Sequence, residues 1–567
     1  MCIKIVHKKD KFFTVWEYLN EPYLIRLPNE TLIHFDFIPS LKAKYKIEIF
    51  PFEKYNQLRH ERKFRLSLKE NPDKTFSEFF VKEKQPLHYQ LIGMNFIYNA
   101  KSVLLADDVG LGKTLQSIGA LIRSVIENKI DIGIIFCPNT LKFQWEQEFE
   151  NSLIKEVLRK IRIFRIRGEK GLRNKFYSMV LKCKKVPVLL LNYELFLRDY
   201  IRINQVLKKF KRRFVICDEA SRIKNPNTKT HKLICKFFSK SEYKVCLTAT
   251  PIENGLEDLY GIMRLVDKAL FWSYRFFCNR YLQIEEFRNF KTGGIYKKVV
   301  GYKKLDEVRY RLSPYYLQRT TKDLELELPR ILISNYPVDL TETQKEIYEK
   351  IRSDIDWEDK RTNILAQFIH LRKACNSPNL FEGYSGKSSK IEEIKILLSS
   401  ELRNKKVIIF SESKKFIKEM IKELKDFKPA FIYGGMKEGE RDMQYSIFNK
   451  GKTRLLLMTS AGERGLNFPS ANVVINADLP YNPARLKQRI GRARRLDSKT
   501  NVLTVINLYA RDTIEERVFE IFHNKAKLFS KIFDDSFDLE RVKINIEKWD
   551  KDKLKSLIEG KNGIVDN

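Results

Sequence analysis

The chain has 567 residues, 43% of them hydrophobic and 12% aromatic, and a formal net charge of +35. That apolar fraction excludes a disordered basic tail protein and suffices for several cores; at about 100–200 residues per domain, three to five domains are expected. The surplus predicts a polyanionic partner, nucleic acid ahead of an anionic membrane surface. The eight cysteines are scattered and never form a C-x-x-C pair. This speaks against structural zinc and fits a reduced, intracellular compartment.

The first residues, MCIKIVHKKDKFF, carry charges where the apolar core of a secretory signal would lie. No run approaches the ~18 apolar residues of a membrane span, so no membrane role is expected. FFTVWEYL, YLIRLP and KYKIEIF are rich in aromatic and β-branched residues, with turn signals at Asn20-Glu21-Pro22 and Pro28-Asn29. They predict a small β-rich module, followed by a charged helical connector.

From Gln85 short apolar runs alternate with helical patterns: SVLLA, IGIIFC, VLLLN, RFVICDE and KVCLTAT. A second set begins near Lys406 with KVIIFSE, AFIYGG, RLLLMTS, NVVINA and VLTVINL. Each set is the signature of a parallel sheet with crossover helices, so the fold class is α/β with two lobes. Between them, from about Glu253 to Ser400, the chain is aromatic-rich and helical in texture with no further sheet pattern. The expected division is 1–75, N-terminal β-rich module; 76–265, first lobe; 266–400, helical insert and linker; 401–512, second lobe; 513–567, helical brace and charged tail.

Leu105-Ala106-Asp107-Asp108-Val109-Gly110-Leu111-Gly112-Lys113-Thr114 follows a strand run and precedes the helical stretch LQSIGALIRSVI. Glycines there let backbone N–H groups converge on phosphate oxygens while the helix presents its N-terminus. Lys113 would reach the β- and γ-phosphates and the Thr114 hydroxyl would ligate magnesium. Asp107 stands where the strict G-x-x-x-x-G-K-T pattern has glycine, and an ordinary glycine-rich turn has the same texture. The strand run Phe214-Val215-Ile216-Cys217 then ends in Asp218-Glu219. A strand-end aspartate suits magnesium, and a neighbouring carboxylate suits orienting or deprotonating water. Together the two elements indicate ATP and magnesium.

With these residues in place, the chain from about Pro86 to Phe529 resembles the Swi/Snf-type ATPases of helicase superfamily two. The resemblance implies two RecA-like parallel-sheet lobes in tandem with a helical insert. It rests on Leu87–Asn95, similar to the glutamine motif in which Gln90 would read adenine. Cys137-Pro138-Asn139-Thr140 with Phe143-Gln144-Trp145-Glu146 is similar to a DNA-facing segment. Asp218-Glu219-Ala220-Ser221-Arg222-Ile223-Lys224-Asn225 resembles the second Walker element, with Ser221 at a variable position. Leu247–Asn254 resembles the coupling motif, with Thr248 and Thr250 as coupling residues. Leu317-Gln318-Arg319-Thr320-Thr321-Lys322 and Leu371–Pro378 look like signatures of this family that general helicases lack. In the second lobe Val407–Ser411 and Thr459–Asn467 resemble motifs four and five, although Glu463 departs from the usual glycine. Gln488-Arg489-Ile490-Gly491-Arg492-Ala493-Arg494-Arg495 matches Q-x-x-G-R-x-x-R, and Arg492 and Arg495 are its arginine-finger candidates. Gly465 and Gln488 join Gly110 and Gly112 as candidate nucleotide contacts.

The implied function is an ATP-dependent translocase on double-stranded DNA that remodels DNA or DNA–protein complexes, with no dependence on base sequence and monomeric as far as the sequence indicates. Lys142, Gln144 and Thr459 are the candidate backbone contacts. Other readings are an RNA-directed or RNA-polymerase-displacing ATPase, a motor subunit of a restriction or anti-invader system, and a nucleic-acid scaffold with a dead ATP site.

Overall fold

The computed structural model describes backbone at 2–8, 11–14, 24–27, 30–33, 46–50, 52–519 and 558, without 253–254, 272, 289–294, 321–322, 325–328, 357–360, 460–465, 481–482, 496–497 and 499. Side chains are described from 57 onward, apart from 58–59, 287–298, 361–363, 365, 483–484 and 487. The expected brace and tail fall outside the described residues beyond 519, residue 558 excepted.

Five strands open the chain: β1 (Cys2–Lys8), β2 (Lys11–Thr14), β3 (Leu24–Leu27), β4 (Glu30–Ile33) and β5 (Lys46–Phe50). They form one mixed sheet in the order β3-β4-β2-β1-β5, in which only β1 and β5 run parallel. The helix Phe52–Ser67 leads from it to the first lobe.

That lobe is built on β6 (Ser102–Leu105), β7 (Ile132–Phe136), β8 (Ile161–Arg165), β9 (Val186–Leu191), β10 (Arg213–Asp218) and β11 (Tyr243–Leu247). All pair in parallel, in the order β6-β11-β10-β7-β9-β8. Their apolar runs are continuous because both faces are covered. Val215 and Ile134 enter the core on one face, Ile216 and Ile135 the core on the other. Every strand therefore ends at the same edge, where the loops after β6, β10 and β11 come together.

The segment between the lobes, expected to be a helical insert and linker with no further sheet pattern, contains strands as well as helices. It contains an antiparallel hairpin, β12 (Leu282–Arg288) with β13 (Ile295–Tyr302). It also gives an edge strand to each lobe: β14 (Tyr316–Leu317) pairs with β6, and β15 (Arg330–Val338) begins the second sheet. The physical reason is exposure. On β15 Leu332 is 58% and Ile333 55% exposed, so the strand lacks the buried apolar run that marks a central one.

The second sheet adds β16 (Val407–Phe410), β17 (Ala430–Ile432), β18 (Leu455–Met458), β19 (Val473–Asn476) and β20 (Val502–Ala510), all parallel in the order β15-β20-β19-β16-β18-β17. Here too alternate residues feed two cores, Val407 and Ile409 on one face, Ile408 and Phe410 on the other. No described helix is long and apolar enough to cross a membrane.

One buried cation ties the insert to this lobe. Lys390, on the helix Ser389–Ser399, is fully buried and donates to Asn376 Oδ1 (3.0 Å), the Ala477 carbonyl (2.7 Å) and Glu515 Oε1 (2.9 Å). It joins the end of the helix Arg361–Asn376, the exit from β19 and the segment after β20. Replacing Lys390 by alanine leaves Glu515 as a buried, uncompensated charge, at a cost of about 3–5 kcal/mol. Denaturant unfolding of Lys390→Ala should show a loss of this size; a loss under about 1 kcal/mol would contradict the assigned role.

Candidate active site

The loop after β6 is shaped by two glycines in the left-handed region, Gly110 at φ +95° and Gly112 at φ +71°. A Cβ on Gly112 would lie 2.5 Å from Gln90 Nε2, so a side chain there is strained by the backbone conformation and would also displace the Gln90 amide. The helix Lys113–Ile126 starts at once, with its N-terminus turned to the loop. Lys113 Nζ donates to the carbonyls of Asp107 (2.5 Å) and Asp108 (3.1 Å), so the loop wraps round its ammonium. Burial draws the pKa of Lys113 below the usual lysine value, against the opposing charges of Asp107, Glu219, Asp218 and Asp108.

Asp218 closes β10 and faces this lysine. Its Oδ2 accepts from Trp145 Nε1 (2.9 Å) and its Oδ1 from the Glu219 N–H (2.9 Å), while the Tyr193 hydroxyl donates to its backbone carbonyl (2.6 Å). Burial, with Glu219 adding like charge, pushes the Asp218 carboxyl up to about 6, although Trp145 and Lys113 pull the other way. Glu219 is a non-glycine residue in the left-handed region, φ 53° and ψ 53°. Such a conformation costs of order 1–3 kcal/mol. Thr248, after β11, is 1% exposed; its N–H reaches the Leu105 carbonyl (3.2 Å) and its hydroxyl accepts from the Thr250 N–H (3.1 Å). The coupling motif is thus tied to the strand that leads into the phosphate loop.

Gln90, on the helix His88–Ala100, divides its side chain between the N-terminus of its own helix and the loop. Its Oε1 accepts from the Leu87 N–H (2.9 Å) and its Nε2 lies 3.4 Å from the Leu111 carbonyl. From the second lobe, the turn after the helix Pro483–Ile490 arrives opposite. The Arg494 carbonyl would stand 3.3 Å from a Cβ on Gly110, and the charge of Asp108 acts on the Arg494 guanidinium. Arg492 is 5% exposed, and Arg495 Nη1 donates to Asn467 Oδ1 at 2.8 Å. Gln488 is buried, and its Oε1 has no hydrogen-bond partner among the described residues. Gly465 lies outside the described residues.

The oxygen donors of Thr114 and Asp218, beside an ammonium and a helix N-terminus, are the hard-ligand set that suits magnesium with phosphate oxygens. No cluster of three or more His, Cys, Asp or Glu side chains able to hold a metal occurs among the described residues.

The three candidate DNA contacts, Lys142, Gln144 and Thr459, are all buried in this arrangement. Lys142, on the helix Lys142–Ser152, is 1% exposed; it donates to the Ile166 carbonyl (2.8 Å) and to Glu438 Oε2 (3.2 Å) on the second-lobe helix Glu438–Asn449. Arg165 pairs with Asp442 of that helix (2.5 Å), and Arg441 donates to the Asn139 carbonyl (3.1 Å). In this arrangement Lys142 belongs to an ionic clasp between lobes, because Glu438 offers the counter-charge that burial demands. Gln144 is 9% exposed and its Oε1 has no partner among the described residues; Thr459 is 5% exposed. Sequence reasoning passed over Trp145, Arg494 and Glu438. Trp145 and Arg494 lie within recognisable motifs but their partners are distant in sequence, and Glu438 lies in none.

Two family models match the chain: the SNF2-related domain at residues 62–380 and the Helicase conserved C-terminal domain at 389–497. Among curated proteins, the chain is 29% identical to a SWI/SNF-related matrix-associated actin-dependent regulator of chromatin, subfamily A member 1, of Mus musculus, over 80% of this chain and 44% of that protein. It is 28% identical to the ISWI chromatin-remodeling complex ATPase ISW2 of Saccharomyces cerevisiae (80% and 41%). It is 30% identical to an uncharacterized ATP-dependent helicase of Mycoplasma pneumoniae (78% and 42%). The chain spans less than half the length of these relatives. A solved Sulfolobus solfataricus SWI2/SNF2 ATPase core in complex with dsDNA is 27% identical, covering 83% of this chain and 96% of that one, at a TM-score of 0.36. The SNF2-related match alone takes in more than half of the chain, which belongs to the SNF2-related family of helicase-like ATP hydrolases.

Proposed function

We propose that the chain hydrolyses ATP in step with closure of its two lobes and uses the cycle to move along double-stranded DNA, remodelling DNA or DNA-bound proteins. The observation that carries this reading is the approach of the Arg492–Arg495 turn of the second lobe to Gly110 and Asp108 of the first. Phosphoryl transfer needs little covalent help from a protein and much electrostatic positioning. Lys113 and the loop amides would hold the phosphates, and Glu219 would orient the attacking water. Arg492 and Arg495 would meet the charge that develops on the transferred group. Magnesium, held through Thr114 and Asp218, would supply further charge neutralisation when bound.

With the two halves of the site on different lobes, hydrolysis is fast only when they are together, and each cycle of closing and opening can advance a gripped strand. Duplex DNA as the track is supported by the +35 charge and by the motifs shared with the family. Contacts to phosphates carry no base information, so stimulation should be independent of sequence and weaken steeply with salt.

Steady-state ATPase assays with duplex DNA, single strands and RNA test the reading, and duplex should stimulate most. Lys113→Ala and Glu219→Gln should each lower kcat by about 10²–10⁴. Wild-type rates in both variants, or equal stimulation by all three nucleic acids, would contradict it. A milder case is Trp145→Phe, which removes one donor from the buried Asp218 carboxylate. A stability loss of about 1–3 kcal/mol is expected, with a fall in kcat and little change in KM for ATP. An unchanged kcat would show that the indole N–H does not position Asp218.

A further inference from the structure

Asp107 occupies the place where the strict phosphate-loop pattern has glycine, and the structure supplies it with an elaborate set of partners. It is fully buried. Arg319 donates to it twice, through Nε to Oδ1 at 3.0 Å and through Nη2 to Oδ2. The same guanidinium donates through Nη1 to the Tyr89 carbonyl and through Nη2 to Gln116 Oε1 (2.8 Å). Gln116 Nε2 in turn donates to Asp107 Oδ2 and to the Leu111 carbonyl, both at 3.1 Å. One planar cation thus joins the first residue of the loop, the helix that carries Gln90 and the helix that begins at Lys113. Gly93 is required for this, since a Cβ there would lie 1.8 Å from Gln116 Oε1 and 3.0 Å from Arg319 Nη2.

The position of Arg319 in the chain matters as much as its contacts. β14 runs beside β6, and its alignment continues past its own end: the Ala106 N–H reaches the Leu317 carbonyl (2.7 Å) and the Asp108 N–H the Arg319 carbonyl (3.0 Å). Arg319 is therefore where the chain leaves the first-lobe sheet on its way to β15 in the second. At the far end of that connection the Pro329 carbonyl accepts from Arg494 Nε (3.0 Å), in the turn that faces Gly110. Both ends of the connection between lobes touch the loop or the turn opposite it.

We propose that Arg319 is a positioning residue for the nucleotide: it fixes the phosphate loop through Asp107 and makes the shape of that loop depend on how the connection leaves the first lobe. This deepens the ATP-hydrolase reading and rests on it. A lysine at 319 would keep the charge but present a single point of donation, which cannot serve Asp107, Tyr89 and Gln116 in their plane.

Arg319→Lys in the full-length chain is the decisive variant, since Arg319→Ala strands a buried carboxylate and can fail on folding alone. Three quantities are measured: Tm, the affinity for a fluorescent ADP analogue, and KM against kcat for ATP. Positioning predicts that Arg319→Lys keeps Tm within a few degrees while ADP affinity and KM worsen about tenfold or more, kcat changing less. A purely structural pair predicts a lowered Tm with wild-type affinity and KM; that result, or no change in any of the three, overturns the proposal. The ADP reading needs neither hydrolysis nor DNA, so it separates failure of this proposal from failure of the motor reading.

Discussion

The fold converges on two glycines. Gly110 and Gly112 hold the phosphate loop in a conformation that L side chains avoid, and each is also where another element comes closest: the Arg494 carbonyl at one, the Gln90 amide at the other. The loop is thereby pressed between the glutamine-motif helix of its own lobe and the arginine turn of the next. Parallel strands make this possible, because a sheet whose strands all run one way delivers every βα loop to one edge. Asp218, Glu219 and Thr248 reach the same edge from β10 and β11 for that reason and no other.

The charges near the loop oppose one another. Asp107, Asp108, Asp218 and Glu219 surround a single lysine, an excess of negative charge in a pocket suited to phosphates. Two devices reduce the conflict. Arg319 neutralises Asp107 within the protein, and burial lifts the Asp218 carboxyl so that its charge is held less firmly until a cation meets it. In the proposed cycle the arginines of the second lobe would bring positive charge only when the lobes meet. On that proposal electrostatics would favour closure around a nucleotide and so link the chemistry to the relative position of the lobes. The Lys142–Glu438 and Arg165–Asp442 pairs join the two lobes at a second place.

Local features carried much of this into the sequence. A buried strand, a glycine pair, Lys113 and Thr114 lie within one short run, and Asp218-Glu219 ends another, so strand periodicity and loop chemistry could be read together. Long-range partners left no such trace. Asp107 was visible as a departure from pattern, but its partner Arg319 is 212 positions away. Lys142 sat in a segment whose family resemblance pointed to DNA, yet its buried partner, 296 positions on, decides its environment. Edge strands were illegible for a different reason: β14 is two residues long and β15 leaves apolar residues in water, so neither has the continuous apolar run by which a central strand is recognised. The much larger basic surplus is legible as a polyanion signal without saying which lysines bind it.

The central claim is that catalysis waits on an arginine from the other lobe. Single-turnover hydrolysis by Arg492→Ala, with nucleotide affinity measured on the same preparation, tests it most directly. The account predicts affinity within about threefold of wild type and a chemical step slower by about 10³ or more. A rate within tenfold of wild type, or a loss of rate matched by an equal loss of affinity, would contradict it.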